Sequence, residues 1–545
     1  MKKRILYSML IATATTFSFS SCENFLEENP KDQITQEQAY SNPTLLYLNT
    51  VASLYTQVGG SGGSQGLMGC DRGIYDLNTF TTDEAMLPTR GGDWYDGGLW
   101  QGLFKHEWGT KNDLLKGSWD YLYRVVAQSN ASLDKLKEIA EKDPENRAVA
   151  GYISEVRAFR ALFYYYLLDL YARVPLVTSS SMAMEDVKQS ERSEVFNFVW
   201  NELQESVGDL SEVHSNLPGE YYGRVTKPVA YFILAKLALN AEVYLDDNWT
   251  DGSKLDGKTI KLSVEGEDMN AWDATIAYCD KIKALGYGLE NKFEANFSLK
   301  NEGSVENIFT IPMDANLYKN QYCYMIRSRH YNHGKAYGQG GWNGSSATKD
   351  ALKAFGYKTT NQDPRFDLTY FAGKVEGPSG IIKQDDGSDL EYVPEAIQLD
   401  LSNTPFEKTA GARLKKYETD PAATEDGKLQ SNDIVLFRYA DVLLMKSEAK
   451  VRKGESGQAE FNEVRKRAGA SLDMDATLQN LLDERLREFA WEGLRRQDLV
   501  RFGQYTRSYE DRPQLPQEET GFTTVFPIHE DVLSLNTQLT QNYGY

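Results

Sequence analysis

The chain has 545 residues, of which 41% are hydrophobic, so it can bury a large core as one large unit or as several domains. Its formal net charge is −20, which argues against nucleic-acid binding, because contacts to phosphates need clustered lysine and arginine. Its 33 tyrosines, 23 phenylalanines and 9 tryptophans offer many rings on which a ligand can stack.

The first 22 residues have the pattern of a bacterial lipoprotein signal. Lys2, Lys3 and Arg4 precede an apolar stretch, which ends in small residues before Cys22. The stretch is too short and too rich in Thr and Ser for a good spanning helix. We expect cleavage before Cys22 and lipidation of that cysteine; an ordinary secreted protein with a cysteine near its start is the alternative.

The segment TTDEAMLPTRGGDWYDGGLWQGLFKHEW, residues 81–108, places aromatic rings among five glycines. Apolar sugar faces stack on such rings, and carboxylate, amide and guanidinium groups bind sugar hydroxyls. The segment is therefore a predicted binding loop for a neutral glycan, and packing of the same rings into the core is the alternative. Its predicted ligand-binding residues are Asp83, Arg90, Trp94, Tyr95, Asp96 and Trp100, whereas Trp108 and Trp119 are expected in the core.

Apolar periodicity predicts a mostly helical protein. The first helix runs from Trp119 to Ile139 and is broken at Asp143-Pro144, and the second covers EVRAFRALFYYYLLDLYARV before Pro175. Helix pairs joined by short loops favour tetratricopeptide-like hairpins, although no clean 34-residue repeat is found. The other predicted helices are 191–210, 227–245, 271–285, 436–453, 457–468 and 476–505.

Residues 291–435 combine short strand-like runs, such as Ile308 to Pro312, with Gly, Asn and Asp turns. Long irregular stretches in a helical protein usually carry binding surface. Within them, RSRHYNHGKAYGQGGWNGSS, residues 327–346, is a second predicted binding loop. Its candidate residues are Tyr331, Tyr337, Trp342 and Asn343, and Trp249 elsewhere is a weaker candidate.

No metal or cofactor site is predicted. His330 and His333 are three residues apart, but no third ligand can be identified for a metal ion. The acidic loops lack the spacing of a calcium loop, and no GK[ST] follows the glycines of 59–66, as a phosphate-binding loop requires.

Six separated segments resemble the SusD/RagB family, which comprises glycan-binding surface lipoproteins of Bacteroidetes. They are CENFLEENP, EVRAFRALFYYYLLDLYARVPLV, RYADVLLMKSEAKVRKG, FNEVRKRAGA, ERLREFAWEGLRRQDLVRFG and FPIHEDVLSLNTQLTQNYGY. They follow the family's order and cover essentially the whole mature chain. Arg173 and His529 depart from the family's common residues.

The resemblance implies a helical scaffold of tetratricopeptide-like hairpins with long irregular loops and a few short strands. It also implies a lipid anchor in the outer membrane, exposure at the cell surface, no catalysis, and a SusC-like TonB-dependent transporter as partner. The expected organisation is a signal peptide at 1–21, an N-terminal region at 22–225, connecting helices at 226–300 and a C-terminal region at 301–545, all in one compact unit.

ERLREFAWEGLRRQDLVRFG, residues 484–503, places Glu484, Glu488 and Glu492 four residues apart. On one continuous helix these carboxylates would stack on one face and repel each other. The neighbouring arginines, and a favourable pair of Glu492 with Arg496, indicate a structural network, and in the family this helix is scaffold. An acid–base site is the alternative, although no histidine or nucleophile lies in this segment.

Two other functions remain open from the sequence. One is the uptake of peptides by a RagB-type member, since aromatic loops also stack peptide side chains. The other is a surface glycoside hydrolase, which needs two carboxylates roughly 5–10 Å apart.

Overall fold

The computed structural model describes residues 40, 42–61, 64–68, 72–317 and 319–545. Cys22 and the whole predicted signal peptide lie outside these residues, so the expectation of a lipid anchor stays a prediction. The described residues up to Asn49 belong to one compact unit and those from Thr50 onward to another. Among all the described residues, no helix is both long enough and apolar enough to cross a membrane.

The structure is mostly helical, as the periodicity predicted. The helices used below are α1 Asp113–Lys142, α2 Arg147–Tyr171, α3 Arg192–Ser206, α4 Lys227–Leu239, α5 Ala271–Ala284, α6 Tyr439–Lys453, α7 Gln458–Arg467, α8 Leu478–Phe489 and α9 Arg495–Arg501. Shorter α-helices are Pro43–Tyr47, Ser53–Tyr55, Ile74–Thr79, Leu99–Lys105, Ala241–Tyr244, Tyr324–Ser328, Tyr331–Ala336, Lys349–Ala354, Phe366–Thr369 and Glu530–Leu535.

The long helices form hairpins. Asn112 and Asn146 start α1 and α2, because each side-chain oxygen accepts a hydrogen bond from a backbone N–H of the first turn. The short connection between them makes α1 and α2 antiparallel neighbours. Further contacts run from α2 to α3, from α4 to α5, from α5 to α6, and from α6 to α7 and α8. The helical scaffold is therefore confirmed.

The strands are short and pair two by two. They are β1 Ala85–Met86, β2 Lys261–Val264, β3 Glu267–Asn270, β4 Asn307–Ile311, β5 Ser346–Ala347, β6 Tyr370–Phe371, β7 Gly373–Lys374, β8 Glu376–Gly377, β9 Gly380–Ile381, β10 Glu391–Tyr392, β11 Arg413–Leu414 and β12 Ile434–Arg438. The antiparallel pairs are β1 with β5, β2 with β3, β4 with β12, β6 with β11, β7 with β10, and β8 with β9.

The pair β4–β12 confirms one prediction and corrects another. The strand-like run at Ile308 is β4, whereas the helix predicted from residue 436 begins only at Tyr439. Ile434 opposite Ile311 and the other residues of β12 are buried in the ladder with β4. Periodicity alone does not separate such a short buried run from a helix turn.

The helix predicted at 476–505 is broken in the structure. It ends at Phe489 and resumes at Arg495, because Trp491 and Gly493 have φ angles of 68° and 69°. Glu492 therefore leaves the face shared by Glu484 and Glu488. The expected pair of Glu492 with Arg496 is wrong, since Arg496 donates to Asp169 at 2.8 Å instead.

The structural interpretation of the three glutamates is confirmed despite this break. Glu484 and Glu488 are fully buried and Glu492 is 3% exposed, and each accepts hydrogen bonds from buried basic side chains. The carboxylates tie α8 and the turn after it to four other segments of the chain. Their basic partners are Arg365, Lys416, Arg438, Arg465, Arg467 and Arg487.

Candidate functional site

The first predicted binding loop is held in place by a buried arginine. Arg90 and Asp93 exchange backbone hydrogen bonds of 3.0 and 3.1 Å, which closes a tight turn around Gly91. The Arg90 side chain is 3% exposed and donates to the carbonyl of Gly344 at 3.3 Å and to the Ser346 hydroxyl at 2.9 Å. Arg90 thus fixes this loop against the second predicted loop.

The second loop is fixed mainly through its backbone. The N–H groups of Trp342, Asn343 and Gly344 donate to the carbonyls of Ile326, Arg329 and Arg327 at 2.6 to 2.7 Å. These hydrogen bonds fix the backbone of the second loop. The side chain of Trp342 is half-buried, so part of it is accessible at the surface.

The two loops meet at their aromatic residues. The indole Nε1–H of Trp94 donates to the carbonyl of Trp342 at 2.9 Å, and the Tyr331 hydroxyl donates to the Asp93 carboxylate. Gly344 allows this approach, since a Cβ there would lie 2.8 Å from a Trp94 ring atom. The strand pair β1–β5 joins the same two regions behind the loops.

We define the aromatic surface by its exposed and half-buried rings. Tyr95 is 56% exposed and Tyr331 is 38% exposed, while the other members are half-buried. Partial burial and the Asp93 carboxylate raise the pKa of the Tyr331 hydroxyl to about 12, so it remains a donor at neutral pH. The members are Trp94, Tyr95, Tyr331, Tyr337 and Trp342.

Asp83 and Arg90 were expected to bind ligand, and the structure corrects both expectations. Asp83 is 1% exposed and accepts hydrogen bonds from Arg495 at 2.7 Å and Arg507 at 2.6 Å. Burial opposes ionisation, but these two arginines hold the pKa of Asp83 below its usual value. Both Asp83 and Arg90 are therefore structural, because their polar atoms are committed within the protein.

Trp100 and Asn343 are also buried rather than available at the surface. Trp100 is fully buried and donates its Nε1–H to Asp96 at 2.8 Å. Asn343 is 1% exposed, at a φ of 51°. Asp96 itself is exposed, but its carboxylate also accepts from Arg72 at 2.8 Å. Trp108 and Trp119 are buried, which confirms that they belong to the core.

A further wall beside the aromatic surface was not predicted from the sequence. The β8–β9 hairpin and Tyr331–Ala336 line a cleft of about 380 Å³. Asn332 connects them by donating to the carbonyl of Lys383 at 2.9 Å and to Asp385 at 3.0 Å. The Gly-Pro-Ser-Gly turn at 377–380 was the available sequence signal, since this composition marks a tight turn. The cleft adds amide, ammonium and carboxylate groups next to the rings.

The histidines in the second loop have structural partners. His330 Nδ1 accepts from the Asn332 N–H at 3.1 Å, and His333 Nδ1 lies 3.0 Å from the Tyr392 hydroxyl. Burial and nearby cations lower the pKa of His330 to about 4 and that of His333 to about 2, so both are neutral at neutral pH. Among the described residues, no group of three or more His, Cys, Asp or Glu side chains is arranged to hold a metal ion.

Comparison with known proteins gives consistent matches over most of the chain. A family model described as "SusD family" matches residues 305–545, and one described as "Starch-binding associating with outer membrane" matches residues 69–239. The starch-binding protein SusD of Bacteroides thetaiotaomicron is 24% identical over 99% of this chain and 98% of its own length. A SusD-like protein of Bacteroides ovatus is 23% identical over 91% of this chain and 82% of its own.

Solved structures share the fold. A laminarin-binding SusD-like protein superposes with a TM-score of 0.67 at 20% identity, covering 92% of this chain and 100% of its own. Surface glycan-binding protein A from Bacteroides thetaiotaomicron, in complex with laminarihexaose, superposes with a TM-score of 0.68 at 17% identity. That match covers 92% of this chain and 99% of the other.

Proposed function

Because the chain belongs to the SusD/RagB family, we propose that it is a non-catalytic glycan-binding lipoprotein of the cell surface. It captures a neutral oligosaccharide or polysaccharide on the aromatic surface. It then delivers this glycan to a SusC-like TonB-dependent transporter in the outer membrane, to which Cys22 anchors it through a lipid.

The observation that carries this proposal is the meeting of two distant loops at one set of rings. Trp94 and Trp342 are joined by a hydrogen bond between the loops, and Tyr95 beside them is 56% exposed. Aromatic contacts contribute about 0.5–1.5 kcal/mol beyond the burial of area, so a few rings suffice for a modest affinity. Asp93 and Asn332 provide side-chain oxygen atoms that can accept hydrogen bonds from sugar hydroxyls at the same place.

The named ligands of similar proteins support a neutral glucan in particular. Starch and laminarihexaose, named for two of the proteins above, are uncharged polymers of glucose. A ligand of this kind binds through ring stacking and neutral hydrogen bonds, and it needs no basic pocket. Binding of an uncharged ligand is consistent with the aromatic surface and with the neutral His330 and His333 beside it.

Affinity electrophoresis against a panel of plant, fungal and host polysaccharides tests the proposed function. We expect one of the neutral polysaccharides to retard the protein, with no new reducing ends after prolonged incubation. Release of reducing ends would contradict the non-catalytic assignment. Binding of peptides without binding of any polysaccharide would favour uptake of peptides instead.

Replacement of Cys22 tests the lipid anchor. We expect Cys22→Ala to move the protein from the outer-membrane fraction into the soluble fraction, because the residue that accepts the lipid is lost. Cell fractionation and immunoblotting measure the distribution, and Cys279→Ala serves as control, since Cys279 is a buried thiol. An unchanged membrane-bound amount of Cys22→Ala would show that lipidation of Cys22 is not the anchor.

Gentle detergent extraction tests the proposed transporter partner. We expect the tagged protein, purified from native outer membranes, to bring with it a large TonB-dependent barrel protein. Mass spectrometry identifies the co-purifying chain, and an unrelated tagged lipoprotein from the same membranes is the control. Recovery of the protein alone, under conditions that keep other membrane complexes intact, would contradict a stable partnership.

A further inference from the structure

Arg192, the first residue of α3, is a buried cation without an ionic partner among the described residues. Arg192 is 1% exposed, and its Nε atom has no hydrogen-bond partner. Its guanidinium carbon lies 5.4 Å from the ring centre of Tyr244 and 5.6 Å from that of Trp249. Burial lowers the pKa of Arg192 to about 10, which leaves it charged at neutral pH. Asp169 and Asp246 are near enough to counter part of this lowering, but neither pairs with Arg192 within 4 Å, so an added anion would stabilise the buried charge.

Arg192 lines a cleft of about 560 Å³, which lies in the size range of small-molecule sites. The walls come from the loop at 246–255, the start of α8, the end of α9 and the loop at 519–524. Trp249 contributes a half-buried ring to one wall. The Gln479, Gln504 and Thr520 side chains add neutral hydrogen-bonding groups to the lining.

Three other charged side chains of the cleft, Arg501, Arg452 and Glu242, already have partners. Arg501 donates to Glu448 at 2.7 Å, and Arg452 donates to the same carboxylate at 2.8 Å. Glu242 accepts from the Gly257 N–H at 2.8 Å.

Asp246 lines the same cleft, but it forms no ion pair with Arg192 within 4 Å. Its carboxylate accepts from the Asn248 N–H at 3.0 Å. Partial burial raises the pKa of Asp246, and Arg192 opposes this rise without cancelling it. Arg192 is therefore a buried cation of this cleft that is open to an added anion, and Lys254 is a second, exposed cation in the lining.

We propose that this cleft binds a sugar acid, with the ligand's carboxylate on Arg192 and its apolar ring face against Trp249. Guanidinium groups bind carboxylates with paired hydrogen bonds, and a pyranose ring has the flat apolar face that an indole accepts. The size of the cleft and the neutral hydrogen-bonding side chains of Gln479, Gln504 and Thr520 favour a hydroxylated ring over a bare anion such as acetate. The site shares no lining residue with the aromatic surface and does not depend on the proposed function.

Calorimetric titration of the mature protein with D-glucuronate tests this site, with D-glucose and acetate as matched probes. We expect glucuronate to bind, glucose not to bind, and acetate to bind more weakly because it lacks the ring. Arg192→Gln should weaken glucuronate binding roughly tenfold to a hundredfold, the effect of losing a hydrogen bond to a charged group. Trp249→Ala should weaken it several-fold, and Trp342→Ala should leave it unchanged.

Thermal unfolding separates a ligand site from a purely structural arginine. Arg192→Gln should melt at or above the temperature of the wild type, because a buried charge is removed. If glucose binds as tightly as glucuronate, if no glucuronate binding occurs, or if Arg192→Gln binds like the wild type, the proposal is overturned. Should Arg192→Gln not fold, Trp249→Ala decides the question, and unchanged binding of glucuronate by that variant would also overturn it.

Discussion

Glu488→Ala is expected to unfold the protein or to lower its melting temperature by several degrees. Glu488 is fully buried and accepts from Arg438 at 2.5 Å, from Arg365 at 2.7 Å and from Arg467. Removing the carboxylate would leave buried guanidinium groups without this counterion, a change that costs about 3–5 kcal/mol. Differential scanning calorimetry or urea unfolding of the purified variant measures the loss.

The control is a glutamate with a similar number of ion pairs at the surface. Glu138 binds Lys135 and Lys142, but its side chain is 47% exposed, so Glu138→Ala should change the free energy of unfolding far less than Glu488→Ala does. Equal effects of Glu138→Ala and Glu488→Ala would contradict a structural role for the buried network. So would a Glu488→Ala variant that melts like the wild type but no longer binds polysaccharide.

The pH dependence of Glu488→Gln gives an independent measure of the network. Burial opposes ionisation of Glu488, but Arg467, Arg438 and Arg365 hold the pKa of its carboxyl well below its usual range. The stabilisation from the ionised form is therefore complete above the ordinary carboxyl pKa and is lost only as the pH falls through the depressed one. The stability gap between wild type and Glu488→Gln should be constant near neutral pH and should shrink in strong acid.

Tyr95→Ala/Trp342→Ala is expected to abolish retardation by the cognate polysaccharide while the fold remains intact. Each lost ring removes about 0.5–1.5 kcal/mol beyond the area term, which is several-fold to about tenfold in affinity. The two losses together should weaken binding by about tenfold to a hundredfold when the rings act independently. Melting should stay near that of the wild type, because Tyr95 is exposed and Trp342 is only half-buried, and surface changes away from special features contribute within about 0.5 kcal/mol.

Two further variants make this prediction specific. Trp249→Ala removes a half-buried tryptophan outside the aromatic surface and should leave polysaccharide binding unchanged. Trp94→Ala should reduce both binding and melting temperature, because the Trp94 Nε1–H also joins the two loops. A stable double variant that still binds like the wild type would place the glycan site elsewhere on the molecule.

The sequence predicted the scaffold well, because helical periodicity is a local signal. The predicted starts, Trp119 and Glu155, nevertheless lie inside the helices, which begin at Asp113 and Arg147 behind the caps Asn112 and Asn146. The break between α8 and α9 could not be predicted from local sequence signals. Trp491 adopts a φ of 68° because its N–H reaches Glu84, 407 positions earlier in the chain, and its ring is buried. Such a conformation depends on tertiary contacts that a local pattern does not contain.

The structure exposes some of the predicted ligand-binding residues and buries others. Trp94, Tyr95 and Trp342 lie at the surface as expected, and their loops are in contact. Arg90 and Asp83 have the right chemistry for sugar hydroxyls, but they are buried by partners far away in the sequence. A residue type predicts what a side chain can bind, whereas only the fold determines whether a ligand can reach it.

A crystal structure of the protein with an oligosaccharide of the polysaccharide that retards it most tests the central claim directly. We expect sugar rings stacked on Tyr95 and Trp342, with hydroxyls within hydrogen-bond distance of Asp93 or Asn332. Sugar bound instead in the cleft of about 650 Å³ that Gln65 and Lys111 line, with Tyr95 and Trp342 untouched, would contradict it.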